Sequence, residues 1–547
     1  MCAQEHHDHS SAHSHRCSGC CGTRFSELSR RQFIAGTGAV ALGSVFMHHL
    51  QGRTAFADTV PRRILKQDRP LRIQPVLTCS LPRYSEATSW RPWGGLLTDS
   101  HVREECAKIQ DELNAMAAKA DFPLELLPLK TVQSAEEGRS IAAEDHDGTL
   151  IFGAAGGTDV IISLADPKKH NLLFVRHKSG PVYLWFEIAD PRFLRQESDF
   201  PKGTGGMDHN DVIVDDFDEI LWRLRALHGL KNIRNKRIVV IGNAIGWDRG
   251  TASDSPKRAQ ELWGLDYREI PYTEMGERIR AARANDALVR QCRDMTEAYL
   301  RQPGVTLLPR QQQLTTRELI AGAGSSDTLQ EMRVFTEKAF LLTEVFRDLM
   351  EEHETDALTV SECMGTIISM SETTACLCLT LLNDEGCMAF CESDFAVIPS
   401  GILLHYICCK PVFLCNPTFP HNNMITVAHC TAPRKMDGVN AENMFVRTHF
   451  ESDYGAAPKI NFKLGQNMTI LAPDFASRRW MGFEGMVLEN PELDICTSQV
   501  DLRINGDCDR LLHEKAGFHV MACYDNYLRE VGYALHKAGV EWVNLSA

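Results

Sequence analysis

Short apolar segments alternate with amphipathic helices over the first half of the chain. Leu71–Cys79 and Thr149–Phe152 are typical of buried strands, and residues 99–120 between them have the spacing of an amphipathic helix. Arg237–Ile241 begins a second run of the same kind. Because strands that are separated by helices typically pair in parallel, with the helices covering the sheet, this alternation predicts parallel α/β domains.

The pattern changes in the last third of the chain. Lys459–Leu464, Met468–Leu471 and Gln499–Ile504 read as antiparallel strands of a small barrel. The predicted fold class is therefore α/β, with two Rossmann-like parallel domains followed by an α+β domain that ends in an antiparallel barrel. The predicted domain ranges are 58–235, 236–355 and 356–547.

Charge and hydropathy exclude two classes of protein. The chain of 547 residues has a formal charge of −14, whereas a nucleic-acid-binding protein would present a basic surface. Beyond residue 57, no run of 18 uninterrupted apolar residues occurs, so no transmembrane helix and no stable membrane insertion is predicted.

Residues 1–57 have the order of parts of an export signal. Ser29-Arg30-Arg31-Gln32-Phe33-Ile34 is a twin-arginine pattern, an apolar run from Ile34 to Met47 follows, and Ala55-Phe56-Ala57 is a small-residue cleavage site. We therefore expect a twin-arginine signal that is cleaved after Ala57, and a periplasmic or otherwise exported protein.

Cysteine is abundant after the predicted signal. Fifteen of the 19 cysteines follow residue 57, and nine of them lie between Cys363 and Cys430. No C-x-x-C pair is followed by a second pair at zinc-finger spacing. The pattern favours buried thiols that act as small apolar side chains, with a few disulfides as the alternative.

The turn after Arg237–Ile241 is rich in glycine. Its sequence, Gly242-Asn243-Ala244-Ile245-Gly246, is not the G-x-G-x-x-G pattern of dinucleotide sites. Glycine at the tip of a strand usually serves the geometry of the turn, and we favour that interpretation.

Acidic and imidazole side chains follow several predicted strands. Glu362 comes just after Ala357–Val360, and Glu392 and Asp394 come just after an apolar segment that ends at Phe390. The carboxyl ends of parallel strands form the active-site edge of α/β sheets. Together with His519, and with His429 as a further candidate, these carboxylates fit an open site for Mn²⁺ or Mg²⁺ better than they fit a closed thiolate site.

The C-terminal third resembles the L-fucose isomerase and L-arabinose isomerase superfamily over about residues 355–547. The resemblance is carried by three stretches: Phe390-Cys391-Glu392-Ser393-Asp394-Phe395, then Lys410–Phe413 with Val427–Pro433, and finally Gly517-Phe518-His519-Val520.

The resemblance implies an Mn²⁺-dependent sugar isomerase. Glu362 and Asp394 would be both metal ligands and catalytic acids or bases, and His519 would be the imidazole ligand. Glu392 could replace Asp394, and His429 could add a second imidazole, as in the arabinose branch. The family also implies a homo-oligomer, such as a hexamer, that acts on a small-molecule sugar.

Two other functions share these residues. An epimerase or lyase acting on a sugar or sugar acid would use the same enediolate chemistry. An exported sugar-binding protein could keep the fold without catalysis.

Overall fold

Six parallel strands form the first sheet. Their bounds are β1 (Leu71–Thr78), β2 (Leu124–Leu126), β3 (Lys130–Val132), β4 (Gly148–Gly153), β5 (His170–Val175) and β6 (Val212–Val214). The spatial order is β2-β1-β4-β5-β6, and β3 pairs with the carboxyl end of β1. The central strands β1, β4 and β5 are buried almost throughout, which is why their sequences are continuous apolar runs.

This computed structural model describes residues 68–155, 157–183, 185–197, 205–247, 254–312 and 314–546. The predicted export signal, residues 1–57, lies outside the described residues. The described residues all belong to one compact unit.

Helices connect the strands of the first sheet. They are α1 (Asp99–Lys119), α2 (Ala135–Ala142), α3 (Gly157–Leu164), α4 (Pro191–Leu194) and α5 (Phe217–Ile233), with short 3₁₀ turns at Phe186–Ile188 and His209–Asp211. Their starts are fixed by side-chain caps. For example, Thr98 accepts the His101 N–H at the start of α1, and Asp216 accepts the Asp218 N–H at the start of α5.

The second parallel sheet has four strands in the order β11-β10-β7-β8. Its strands are β7 (Arg237–Ile241), β8 (Asp266–Ile270), β10 (Ala357–Val360) and β11 (Met388–Cys391). The intervening strand β9 (Val305–Leu307) belongs to another sheet. The predicted boundary at 355/356 lies just before β10, and this sheet takes strands from both sides of it.

Ten helices follow α5 in the described part of the chain. They are α6 (Ser255–Trp263), α7 (Tyr272–Ala284), α8 (Asp286–Leu300), α9 (Thr316–Ile320), α10 (Ser326–Glu352), α11 (Ile368–Ser371), α12 (Cys376–Asp384), α13 (Ile398–Cys408), α14 (Cys508–Glu514) and α15 (Leu528–Ala538), and a π-helical turn at Cys363–Ile367 precedes α11. No single described helix has the length and apolar character of a membrane span. Cys363–Ser371 and Cys376–Asp384 meet that criterion only as a pair, across a 92° bend.

Six of the nine C-terminal strands form a closed antiparallel barrel. The nine strands are β12 (Phe413–Pro417), β13 (Met424–His429), β14 (Asn443–His449), β15 (Tyr454–Asn461), β16 (Asn467–Pro473), β17 (Arg479–Glu489), β18 (Ser498–Asn505), β19 (Val520–Tyr524) and β20 (Glu541–Asn544). The barrel runs β16-β19-β12-β13-β18-β17, and it closes where β17 pairs with β16. The predicted parallel sheets and antiparallel barrel are thus confirmed, and Met468–Leu471 and Gln499–Ile504 lie in barrel strands. The prediction for Lys459–Leu464 was wrong, because this segment begins in β15, which pairs outside the barrel.

The remaining strands extend this architecture. β20 pairs in parallel with Arg479–Gly482 at the start of β17, and β15, β14 and β9 form a separate three-stranded sheet. One apolar cluster runs from the first sheet through α5 and α13 to the barrel. Gly229 of α5 allows the close approach of the two helices, because a Cβ there would overlap the Ile407 side chain of α13.

Candidate metal centre

The carboxyl end of β11 presents two acidic side chains in a tight turn. Glu392 and Ser393 directly follow the strand with φ angles of +64° and +44°, in the left-handed region that non-glycine residues rarely occupy. Such conformations cost of order 1 kcal/mol each and cluster at functional sites. Asp394 accepts the backbone N–H groups of Ala396 at 3.1 Å and Trp247 at 3.3 Å. These contacts fix Asp394 beside the strained turn.

The glycine-rich turn after β7 forms one wall of the same site. Ile245 makes a β-bridge with Asp394, and its N–H donates to the Ser393 carbonyl at 3.3 Å. Gly242 begins this turn with φ +87°, and a Cβ there would overlap the hydroxyls of Ser361 and Tyr272. The predicted turn at this strand tip therefore also positions an acidic residue of the neighbouring loop.

Two histidines reach this edge of the sheet from the barrel. His429 is the last residue of β13, and His519 immediately precedes β19. Both imidazoles are almost completely buried, at 1% and 2% exposure, and the carboxylate of Asp394 is equally buried. Buried ionisable groups of this kind need partners, because an unpaired charge in a protein interior is costly.

The four side chains form one continuous chain of contacts. The His519 Nδ1–H donates to the Asp394 Oδ2 at 2.7 Å, and the His519 Nε2 lies 3.1 Å from the Glu392 Oε2. The other oxygen of Glu392 lies 3.3 Å from the His429 Nε2. Glu392 is the common partner of both imidazoles.

The outward nitrogen of each imidazole is held by a second group. Asp394 accepts the Nδ1–H of His519, and the Thr431 hydroxyl lies 3.0 Å from the Nδ1 of His429. The Nε2 atoms of both rings are thereby turned towards the Glu392 carboxylate. Metal-ligating histidines typically have their non-ligating nitrogen held in this way, by a carboxylate or another polar group.

The electrostatics of the site couple the carboxylates to the imidazoles. Burial opposes the charged form of His519, but the hydrogen bonds with Asp394 and Glu392 outweigh it and raise the pKa of His519 to about 9. For Glu392, burial is likewise outweighed by hydrogen bonds with the two imidazoles, which hold its pKa well below its usual range. Burial lowers the pKa of His429, and contact with Glu392 outweighs it, so this pKa is raised too. Together, these three pKa shifts mean that the site favours positive charge.

We predict that His519 makes the metal-free protein less stable as the pH rises. Because the pKa of His519 is raised from 6.5 to about 9, its stabilising effect is complete below pH 6.5 and is lost as the pH rises through 9. The change in the free energy of unfolding is about 3 kcal/mol. Urea unfolding in chelator, between about pH 6 and about pH 10, measures it against His519→Gln, which removes the titration. An equal pH dependence in both proteins would contradict the prediction.

Glu362 lies at the end of the neighbouring strand β10, two residues after Val360, which pairs with Cys391 of β11. Its N–H donates to the Tyr272 hydroxyl at 2.9 Å, and its carboxylate accepts the Thr366 hydroxyl at 2.6 Å. Among the described residues, none of its hydrogen bonds joins it to the other four. The structure therefore brings Glu392, Asp394, His429 and His519 into contact and leaves Glu362 on the adjacent, more exposed strand end.

Three further residues belong to the site and were not predicted from the sequence. The Trp247 ring stands perpendicular to the His519 ring, with 5.5 Å between their centroids. Thr431 holds His429, and the Cys391 thiol lies close enough to Glu392 and His429 to share an ion with them. Trp247 and Thr431 follow strand ends by a few residues, which is the only local signal that could have singled them out.

A scan against protein-family models and a search among curated proteins both returned no match to this chain.

Proposed function

We propose that the protein is a metal-dependent aldose–ketose isomerase that acts on an open-chain sugar, as in the L-fucose and L-arabinose isomerase superfamily. The observation that carries the proposal is the convergence of the His429 and His519 Nε2 atoms on the Glu392 carboxylate. This convergence occurs at the carboxyl edge of a parallel sheet, where α/β proteins bind their ligands.

The donor set fits a divalent cation such as Mn²⁺. Two imidazoles and a carboxylate suit first-row divalent metals, and the pKa values of the site favour cationic charge there. We propose Glu392, His429 and His519 as the ligands. Asp394, for which the sequence predicted a ligand role, becomes the residue that orients His519 and fixes its tautomer.

The chemistry assigns a distinct role to Glu362. Isomerisation moves a proton from C2 to C1 of the sugar through an enediolate, while the hydroxyl proton on O2 passes to O1. A bound divalent cation supplies the Lewis acidity that stabilises negative charge on these oxygens. Glu362 is the proposed base that takes the proton from C2 and returns it to C1. Thr366 holds one oxygen of this carboxylate at 2.6 Å and so fixes its direction.

We predict that Glu362→Gln lowers turnover by about 10²- to 10⁴-fold, because the amide cannot accept the C2 proton. Mn²⁺ affinity should stay within about tenfold of wild type, since Glu362 is not among the three proposed ligands. The assay is solvent-deuterium exchange at C2 and ketose formation, followed by NMR over a panel of aldoses. Glu489→Gln, an exposed position at the end of β17, is the matched control and should leave both unchanged.

The same assay separates the alternatives. Exchange at C2 with an epimer or a dehydrated product, and without ketose, would favour an epimerase or lyase. Tight sugar binding without exchange in the Mn²⁺-loaded protein would favour the binding-protein function. Bound iron together with oxygen consumption would contradict all three functions, because iron oxygenases also use two histidines and a carboxylate as metal ligands.

Three finer expectations accompany this proposal. The two parallel sheets would be the Rossmann-like domains of the isomerase fold, and the active form would be a homo-oligomer. The twin-arginine pattern at Arg30-Arg31 supports export to the periplasm of a protein that has already folded and bound its metal.

A further inference from the structure

A second cluster of metal-binding side chains lies beside the candidate centre. It contains the thiols of Cys376 and Cys430 and the imidazole of His449, all at most 3% exposed. The two sulfur atoms are 3.2 Å apart, and the ligand atoms of the three residues all lie within 4.8 Å of one another. A disulfide bond is about 2.05 Å long, so this is a contact between two free thiols.

A fourth side chain lies next to these three. The Cys496 thiol interacts with both Cys430 and His449, and it lies two residues before β18. The four residues come from four separate segments: the first residue of α12, the residue after β13, the last residue of β14, and the loop before β18. Cys496 is partly exposed, which gives an ion a route in from the surface.

The donor chemistry differs from that of the candidate centre. Three sulfurs and one imidazole nitrogen form the Cys₃His set that closes a tetrahedral Zn²⁺ site, whereas carboxylates suit harder cations. We propose that Cys376, Cys430, His449 and Cys496 bind one Zn²⁺ ion. Four protein ligands leave no open position, so this zinc is structural.

The position of this site explains what the zinc would hold in place. Cys430 follows His429 directly, and the Cys430 sulfur lies 3.9 Å from the His429 Nδ1. An ion held by Cys430 would therefore fix the end of β13, and with it a proposed ligand of the Mn²⁺ centre. It would also tie the barrel to α12 and to β14 of the three-stranded sheet.

Cobalt substitution tests the zinc site directly. The full chain is expressed, reduced, stripped of metal and titrated with Co²⁺, whose thiolate ligands give strong sulfur-to-cobalt charge-transfer absorption that oxygen and nitrogen ligands do not. We expect one thiolate-bound Co²⁺ per chain, displaced stoichiometrically by Zn²⁺. Cys376→Ser and Cys496→Ser should lose most of this absorption. Cys378→Ser is the matched control, because that buried thiol lies two residues along the same helix and contacts the Ala339 carbonyl instead.

The outcomes separate this site from the proposed isomerase centre. Glu392→Gln should abolish Mn²⁺ binding and leave the charge-transfer band intact. Absence of the band in the reduced wild-type protein would overturn the zinc site without recourse to any variant, and the thiols would then be packing groups against Ala457. A band of undiminished intensity in both serine variants, or a Cys376–Cys430 disulfide found by mass spectrometry in the unreduced protein, would also overturn it.

Discussion

Glu392→Gln is expected to abolish Mn²⁺ binding and, with it, sugar turnover. Each carboxylate oxygen of Glu392 faces one imidazole, at 3.3 Å from His429 and 3.1 Å from His519. A glutamine of the same shape removes the negative charge and turns an NH₂ group towards one of the rings. Removing a hydrogen-bond partner of a metal ligand typically lowers metal affinity by up to about 100-fold. Because Glu392 is itself a proposed ligand, the loss of Mn²⁺ affinity should exceed this value. Metal titration by calorimetry and elemental analysis measures it.

Asp394→Asn is the matched comparison for this prediction. The amide oxygen still accepts the His519 Nδ1–H but without the charge, so the ring keeps its orientation and becomes a weaker ligand. The expected loss of Mn²⁺ affinity is about 10- to 100-fold. Two results would reverse the proposed roles of the two carboxylates. One is that Glu392→Gln binds Mn²⁺ within about tenfold of wild type; the other is that Asp394→Asn loses more Mn²⁺ affinity than Glu392→Gln does.

The second large effect concerns a buried charge at the end of β5. Replacing Arg176 by methionine is expected to destabilise the fold by about 3–5 kcal/mol. The guanidinium is completely buried, and its Nε donates to the Glu105 Oε1 at 2.6 Å. The Tyr183 hydroxyl donates to the same oxygen at 2.7 Å. Without Arg176, the Glu105 carboxylate would be left as a buried charge that lacks its cation.

Urea unfolding and the double variant test this explanation. Arg176→Met with Glu105→Leu removes both fully buried charges together, and the second acidic partner of Arg176, Glu112, is 26% exposed and can be solvated. Such apolar replacements of buried pairs are often neutral or stabilising. We therefore expect the double variant to recover most of the lost free energy of unfolding. A loss below about 1 kcal/mol in Arg176→Met, or no recovery in the double variant, would show that solvent or another group already compensates Glu105.

Local sequence determined the elements and the edges on which chemistry could occur. Ala357–Val360 is a strand with the predicted bounds, and the helix expected over residues 99–120 spans Asp99–Lys119. These features follow from apolar periodicity and from caps such as Thr98, whose side chain accepts the His101 N–H. Both effects act within a few residues, so a sequence records them directly.

Tertiary structure decided which of these residues meet. His519 and Asp394 are 125 positions apart, and they come together only because the barrel closes through the pairing of β16 with β17 and seats its strand ends against the parallel sheet. The same packing brings Glu392 between the two histidines. It also gathers four cysteine and histidine side chains that show no metal-binding spacing along the chain. The pairing of distant strands depends on the complementarity of whole buried surfaces, which no local pattern contains.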